Sequence, residues 1–299
     1  MSEPPQSTPT APSIGVWARF FRVKLLPTAW LNATTGAVAA GATTFPPIEQ
    51  TAAALGALTA LYLFGMGSND WFDRHRDATI APEKPLPSGE LSTRAAGTAL
   101  LLLLIVAAAG LALLGIPAAI AGAAILIPIL LYNRVLKDHP WLGPAAMGSV
   151  RLLVVLFGAS LVAEDFDALL SSPAVWLAGV ALGGMSFWIT RYSLEEETAR
   201  ATVLGRRAGV IVGHVILAAV ATAILVPSLR LLGWLVPLLA LAQGLRQRSQ
   251  FPPGWWTFRS LRTLLLLDGA LLLSYNSPLA ALIAGGLYLW TGGLLRRRR

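Results

Sequence analysis

An all-α, polytopic transmembrane helical bundle of nine to ten spans is the fold class this sequence predicts, and three observations predict it. Of 299 residues, 55% are hydrophobic and only 13% are charged, against about a quarter charged in a soluble domain. The apolar residues come in long runs, not in the ~10-residue alternating segments of a membrane β-barrel. The Lys and Arg residues collect between alternate runs, as the positive-inside rule requires of a multi-span chain. Cysteine is absent, which excludes disulfides, thiolate zinc sites, iron–sulfur clusters and Cys nucleophiles.

Residues 1–13 (MSEPPQSTPTAPS) are rich in Pro, Ser and Thr and are expected to be a disordered tail. They lack the basic n-region of a signal peptide. Residues 14–299 are expected to form a single transmembrane domain. Measured against the ~20 apolar residues a bilayer demands, the candidate spans are 25–44, 50–68, 95–115, 117–133, 142–163, 173–191, 208–227, 230–245, 257–275 and 278–295. The eighth holds Pro237 and the ninth carries Asp268 within a Leu run.

With a cytoplasmic N-terminus, all of the 23 basic residues except Arg151 and Arg230 fall on the cytoplasmic side or at its edge. The opposite loops carry Glu49, Glu164, Asp165 and Asp167. This asymmetry predicts an integral protein of the cell (inner) membrane with both termini and the long polar loops cytoplasmic. It also accounts for the net charge of +8 without a nucleic-acid partner, since no soluble basic stretch interleaves with aromatics. Chemistry is therefore expected at the cytoplasmic face.

The segment Asn69-Asp70-Trp71-Phe72-Asp73-Arg74-His75-Arg76-Asp77, followed by ATIAPEKPLPSG, ends the second span. Carboxylates at i, i+3 and i+7 lie within about 60° of one another on a helix and repel unless a cation sits between them. Hard oxygens without His or Cys partners suit Mg²⁺ held together with substrate phosphates. Arg74, Arg76 and Lys84 stand ready to take the remaining phosphate charge. Departure of a diphosphate assisted by Mg²⁺ fits this set; spacing alone also permits a solvated helix end.

The whole string resembles the first aspartate motif of the UbiA-type intramembrane prenyltransferases, NDxxDxxxD followed by PxRPxPSG. The matching positions are Asn69, Asp70, Asp73, Asp77, Pro82, Lys84, Pro85, Pro87, Ser88 and Gly89. Lys84 departs from the family's usual Arg and loses bidentate phosphate geometry. The resemblance extends to Arg22-Val23 ahead of the first span and to LLYNRVLKDHPWLGPAAMGSVRLL, with Tyr132, Lys137, Gly143, Gly148 and Arg151 in familiar places. Tyr132 also reads as an interfacial aromatic anchor and Lys137 as a cytoplasmic one, whereas Arg151, about two turns inside a span, needs a polar partner.

The second aspartate motif of the family has no counterpart in Asp. Its place reads Arg191-Tyr192-Ser193-Leu194-Glu195-Glu196-Glu197-Thr198-Ala199-Arg200. Consecutive residues on a helix point about 100° apart, so at most two of the three glutamates can face one ion. A solvated acidic turn balanced by Arg191 and Arg200 is the other reading. His214 reads as a packed histidine. Asp268 reads as a functional candidate, as an intramembrane acid does by default, and equally as an acid paired with Arg262 or with a neighbouring helix. No GxGxxG, Walker or HExxH pattern is present.

The resemblance implies a UbiA-like bundle around a cavity open to lipid, using Mg²⁺ to transfer an isoprenyl group from an isoprenyl diphosphate to a small hydrophobic acceptor, aromatic or lipid-like, in contact with membrane lipid. In that scheme Asp70, Asp73, Asp77 and Lys137 are catalytic. Asn69, Arg22, Lys84, Tyr132 and Arg151 bind the diphosphate, and Asp70, Asp73, Asp77, Glu195 and Glu197 hold metal. A membrane carrier or binding protein using the same fold without catalysis is the alternative that the altered second motif leaves open.

Overall fold

Helix follows helix, with no strand among the described residues, in a computed structural model that describes residues 12–44, 46–196, 201–226, 229–247, 250 and 254–296. The helices are α1 (Ile14–Phe20), α2 (Leu26–Ala39), α3 (Ile48–Ile80), α4 (Thr93–Ala112), α5 (Ile116–Ala124), α6 (Leu126–Leu131), α7 (Leu142–Ser160), α8 (Phe166–Ser171), α9 (Pro173–Glu196), α10 (Ala201–Leu225), α11 (Leu235–Gln247), α12 (Trp255–Ser274) and α13 (Pro278–Arg296).

Several ends follow directly from the sequence. Pro27 opens α2 and Pro117 opens α5, where the missing N–H costs nothing. Ser92 caps α4 by accepting from the Ala95 N–H at 3.2 Å, and Asp165 caps α8 through the Ala168 N–H at 2.8 Å, each satisfying one orphan donor.

Helical structure lies over each of the ten expected segments, but six helices among the described residues are long and apolar enough to cross a bilayer: Ile48–Ile80, Thr93–Ala112, Ile116–Leu136, Leu142–Ser160, Pro173–Glu196 and Val203–Leu225. The count of nine to ten spans is therefore not reached on length and composition. Helix α2 has only 14 residues and α11 only 13, well short of about 20. Helix α12 has the length but carries Arg259, Arg262 and Asp268, and α13 has a shorter apolar stretch, Pro278–Gly292.

Helix α7 is the spine. Val154 and Phe157 on one side pack with Ala57, Leu61 and Ile125 of α3 and the chain joining α5 to α6. Val155 and Ala159 on the other pack with Leu182 and Met185 of α9, Ile211 of α10 and Leu267 of α12. Two glycine contacts let its neighbours approach backbone to backbone. A Cβ on Gly158 would overlap the Ala33 carbonyl of α2. A Cβ on Gly148 would lie 2.9 Å from the Gly183 carbonyl oxygen of α9, and one on Gly183 2.8 Å from that of Gly148. Helices α4 and α10 bury least of their length, and Leu101 and Leu217 stand exposed on them, as lipid-facing surfaces do.

Helix α3 matters most for function. Its 33 residues span about 50 Å at about 1.5 Å per residue, well beyond the ~30 Å hydrocarbon core. The apolar first two-thirds are long enough to cross that core, and the last third carries Asn69 to Ile80 beyond the apolar stretch.

Candidate functional site

Three separate segments deliver cations to the carboxylates of α3. The first is the turn between α1 and α2, where Arg22 adopts a left-handed backbone (φ 48°, ψ 42°). Such a conformation in a residue with a side chain is strained and persists only where the surroundings fix it. Here they do. The Tyr62 hydroxyl donates to the Arg22 carbonyl at 3.0 Å, and the Arg22 guanidinium donates to Asp70 Oδ1 at 2.6 Å.

The second is the stretch after α3, a succession of turns ending in Gly89 at φ +78°, a value that favours glycine. The Leu91 side chain, buried, anchors it, and the Leu91 N–H donates to the Pro85 carbonyl at 2.9 Å. The folded stretch sets Lys84 Nζ 2.7 Å from Asp77 Oδ2 and 3.6 Å from Asp70 Oδ1.

The third is a π-helical turn, Tyr132–Leu136. Such turns interrupt the regular ladder and re-aim side chains, often at functional sites. Beyond it Lys137 donates to Asp73 and, at 3.4 Å, to Asn69 Oδ1. Burial, and then the Arg22 guanidinium, push the Lys137 ammonium down to about 8. Asp70 and Asp77 are buried, so each needs the cations that face it.

Asn133 stitches the π turn to α3. It donates to the Gly65 carbonyl at 3.0 Å and to Ser68 Oγ at 2.8 Å, and accepts from Asn69 Nδ2 at 3.1 Å. Asn133 is not among the candidates read from the sequence, although an amide closing the apolar run 117–133 could have marked it, because such a group must find partners. Tyr62 offered no comparable signal.

A cavity of about 140 Å³ opens beside this cluster. Arg22, Asn69, Tyr132 and Arg151 line it together with Leu58, Leu61, Ile125, Ile129 and Val154. A second, polar recess holds Asp73, Lys137 and Asp138, and Asn133 borders both. The structure thus brings together Arg22, Asn69, Asp70, Asp73, Asp77, Lys84, Tyr132, Lys137 and Arg151.

The donor set on α3 fits Mg²⁺. One ammonium nitrogen already bridges Asp70 and Asp77, so the two carboxylates are placed to share a single cation. Among the described residues no three His, Asp or Glu side chains converge on one point. The remaining positions fall to phosphate oxygens and water, the usual manner of Mg²⁺.

Glu195 does not join this set. Arg191 pairs with its Oε1, and Arg207 Nε donates to Oε2 at 3.2 Å. The two guanidinium groups also stand 5.2 Å and 5.9 Å from the Trp141 ring centroid, a stacked cation–π arrangement. Glu195 is paired with two arginines and lines neither cavity. Glu197 and Arg200 lie outside the described residues.

His214 is packed, its Nε2 lying 2.9 Å from the Ala181 carbonyl oxygen, to which it donates. Asp268 is not paired with Arg262, which instead donates to Thr291 Oγ1 at 3.0 Å and to the Tyr288 carbonyl.

Comparison with known proteins concerns the family and the fold. A sequence model described as the UbiA prenyltransferase family matches residues 29–250. A digeranylgeranylglyceryl phosphate synthase of Halobacterium salinarum is 34% identical over 127 residues, 42% of this chain and 46% of that protein. The match thus spans about half the length of that curated relative. Among solved structures, a UbiA homologue from Aeropyrum pernix K1 superimposes with TM-score 0.65 at 17% identity, covering 84% of this chain and 97% of the other. A UbiA homologue from Archaeoglobus fulgidus bound to GPP and Mg²⁺ gives TM-score 0.59 at 13% identity, covering 87% and 99%. These two likenesses concern the fold.

Proposed function

The chain belongs to the UbiA prenyltransferase family, and from that premise we propose that it transfers an isoprenyl group from a prenyl diphosphate to a hydrophobic, lipid-like acceptor within the membrane. The observation that carries this reading is the junction of two environments. A cluster of three carboxylates and three cations (Arg22, Lys84 and Lys137) adjoins an apolar cavity that Arg22 and Asn69 also line. A diphosphate head and an isoprenyl tail need these two environments side by side. The Halobacterium salinarum relative bears a name ending in glyceryl phosphate synthase, which supports a lipid acceptor.

In this mechanism Asp70 and Asp77 would hold Mg²⁺, with Asp73 in support. Bound there, the ion would offset diphosphate charge and so favour breakage of the bond from carbon to oxygen. Lys84, Lys137 and Arg22 stand where charge grows on the leaving diphosphate, an electrostatic role made effective by their fixed placement. Arg151 adds a cation at the cavity wall. The apolar lining takes up the prenyl chain and excludes water from the allylic cation, which the acceptor then captures. The positive-inside pattern supports a cytoplasmic placement of the cluster and of both termini in a cell membrane.

The arginine clamp on Glu195 favours a second reading, a prenyl-lipid binder without catalysis, because it removes a carboxylate from the altered second motif. Calorimetric titration of the purified protein with geranyl diphosphate tests the shared premise. Saturable binding with Mg²⁺ that is lost in chelator is expected; equal binding with and without the metal overturns the metal assignment, and no binding overturns both readings.

A further inference from the structure

Asp268 is fully buried in α12 between Leu267 and Leu271, and the proposed chemistry makes no use of it. An acid at that depth has to have a partner. Its partners are two donors of α2: Asn32 Nδ2 to Oδ2 and Thr35 Oγ1 to Oδ1, each at 2.7 Å. The other end of Asn32 faces α7, where Arg151 Nη1 donates to Asn32 Oδ1 at 3.0 Å and to Thr28 Oγ1 at 3.0 Å. Thr28 in turn donates to the Leu25 carbonyl at 2.7 Å. A single line of contacts therefore runs from Asp268 through Asn32 to Arg151, across three helices, and ends at the cavity wall.

The chemistry of the two ends fixes the middle. A carboxylate only accepts and a guanidinium only donates, so the Asn32 amide has one orientation that satisfies both. The intervening amide also spares the arginine. Nη1 meets Thr28 and Asn32 while Nε and Nη2 make no hydrogen bond among the described residues. A direct ion pair with Asp268 would occupy that fork. With the acid one residue removed, Arg151 keeps its counter-charge and still presents donors suited to bidentate capture of phosphate oxygens.

We propose that Asp268 is a positioning residue that acts through Asn32 to hold the Arg151 guanidinium aimed into the cavity, where it binds the diphosphate of the prenyl donor. The proposal rests on the reading of the cavity given above and assigns Asp268 and Asn32 roles of their own. Neither touches the metal cluster on α3, so their loss should weaken the anion's binding without moving the Mg²⁺ requirement.

The test is titration of the full chain in detergent with geranyl diphosphate at saturating Mg²⁺, together with a Mg²⁺ titration at the same multiple of each variant's own Kd for that ligand, so that linkage between metal and anion does not move the midpoint. Asp268→Asn leaves Arg151 without its counter-charge and Asn32 free to flip; it should weaken binding about tenfold, the effect of one charge-assisted hydrogen bond, with the Mg²⁺ midpoint unchanged. The double variant Asn32→Asp/Asp268→Asn moves the acid one place along the line. The carboxylate at position 32 then accepts from Arg151, and the amide at position 268 donates to it while accepting from Thr35. Every contact is complementary again, and because the amide at 268 takes one oxygen of the new carboxylate, its pair with Arg151 stays on Nη1; binding should recover relative to Asp268→Asn, including where Asp268→Asn alone fails to fold.

Wild-type affinity in Asp268→Asn, or a shift in its Mg²⁺ midpoint, overturns the proposal. So does a double variant that fails to fold or binds no better than the single one. A wild type that does not bind geranyl diphosphate overturns the proposed function as well, and so is distinguished from failure of the relay alone.

Discussion

Asp70→Asn should lower Mg²⁺-dependent release of diphosphate from a prenyl diphosphate by on the order of 10³-fold, the several kcal/mol of charge stabilisation a metal ligand helps supply. Asp70 is the residue on which the site turns, buried and facing both Arg22 at 2.6 Å and Lys84 at 3.6 Å. Asparagine keeps its volume and removes its charge, so the loss falls on the metal and on the arrangement of the two cations. Folding should suffer much less. Arg22 and Lys84 keep side-chain exposures of 37% and 30%, and solvent can take up the charge that Asp70 no longer balances. Turnover and a thermal melt on the same preparation separate the two effects. A variant with wild-type turnover, or one whose loss of turnover follows its loss of fold, contradicts the assignment.

Gly158→Leu should prevent assembly of the bundle, at a cost above the ~1–3 kcal/mol typical of overpacking. The reason is what the new side chain meets. A Cβ at 158 would run into the carbonyl, the carbonyl carbon and the Cα of Ala33, all backbone, none of which can rotate away. Helix α2 would have to move off α7, carrying Thr28, Asn32 and Thr35 with it and opening both of the large apolar cores that α7 joins. Gly213→Leu is the matched control, since nothing lies within 4 Å of the position where its Cβ would be built. Loss of monodisperse protein in Gly158→Leu with recovery of Gly213→Leu is the expected outcome, and equal recovery contradicts the close crossing.

What the sequence made legible was local in origin. Asp70, Asp73 and Asp77 follow from one helical spacing, and the turns that return Lys84 to them are written in PEKPLPSG. The pairing of Arg191 with Glu195 is an i, i+4 contact and was within reach for the same reason. Contacts between distant segments were not. Asp268 meets Asn32 across 236 positions, and no periodicity along α12 selects Asn32 over Arg262, only six residues away. Arg207 reaches Glu195 from the next helix, which is how an acidic turn that could hold a metal becomes an arginine clamp. The span count of nine to ten is not reached on length and composition among the described residues, and for a physical reason. An apolar run such as 25–44 shows where a helix can lie in lipid, but α2 stops at Ala39, too short by itself to cross the hydrocarbon.

The central claim is that the carboxylate cluster and the cavity together transfer a prenyl group instead of merely holding a prenyl lipid. Mass spectrometry of the lipid extract tests it most directly, after incubation of the purified protein with deuterated geranylgeranyl diphosphate, Mg²⁺ and total membrane lipid. The account predicts a new lipid species heavier by one deuterated prenyl group, present with Mg²⁺, absent in chelator and absent with Asp70→Asn. Recovery of the labelled diphosphate intact and protein-bound, with no new lipid mass, would contradict it and leave a binding protein in its place.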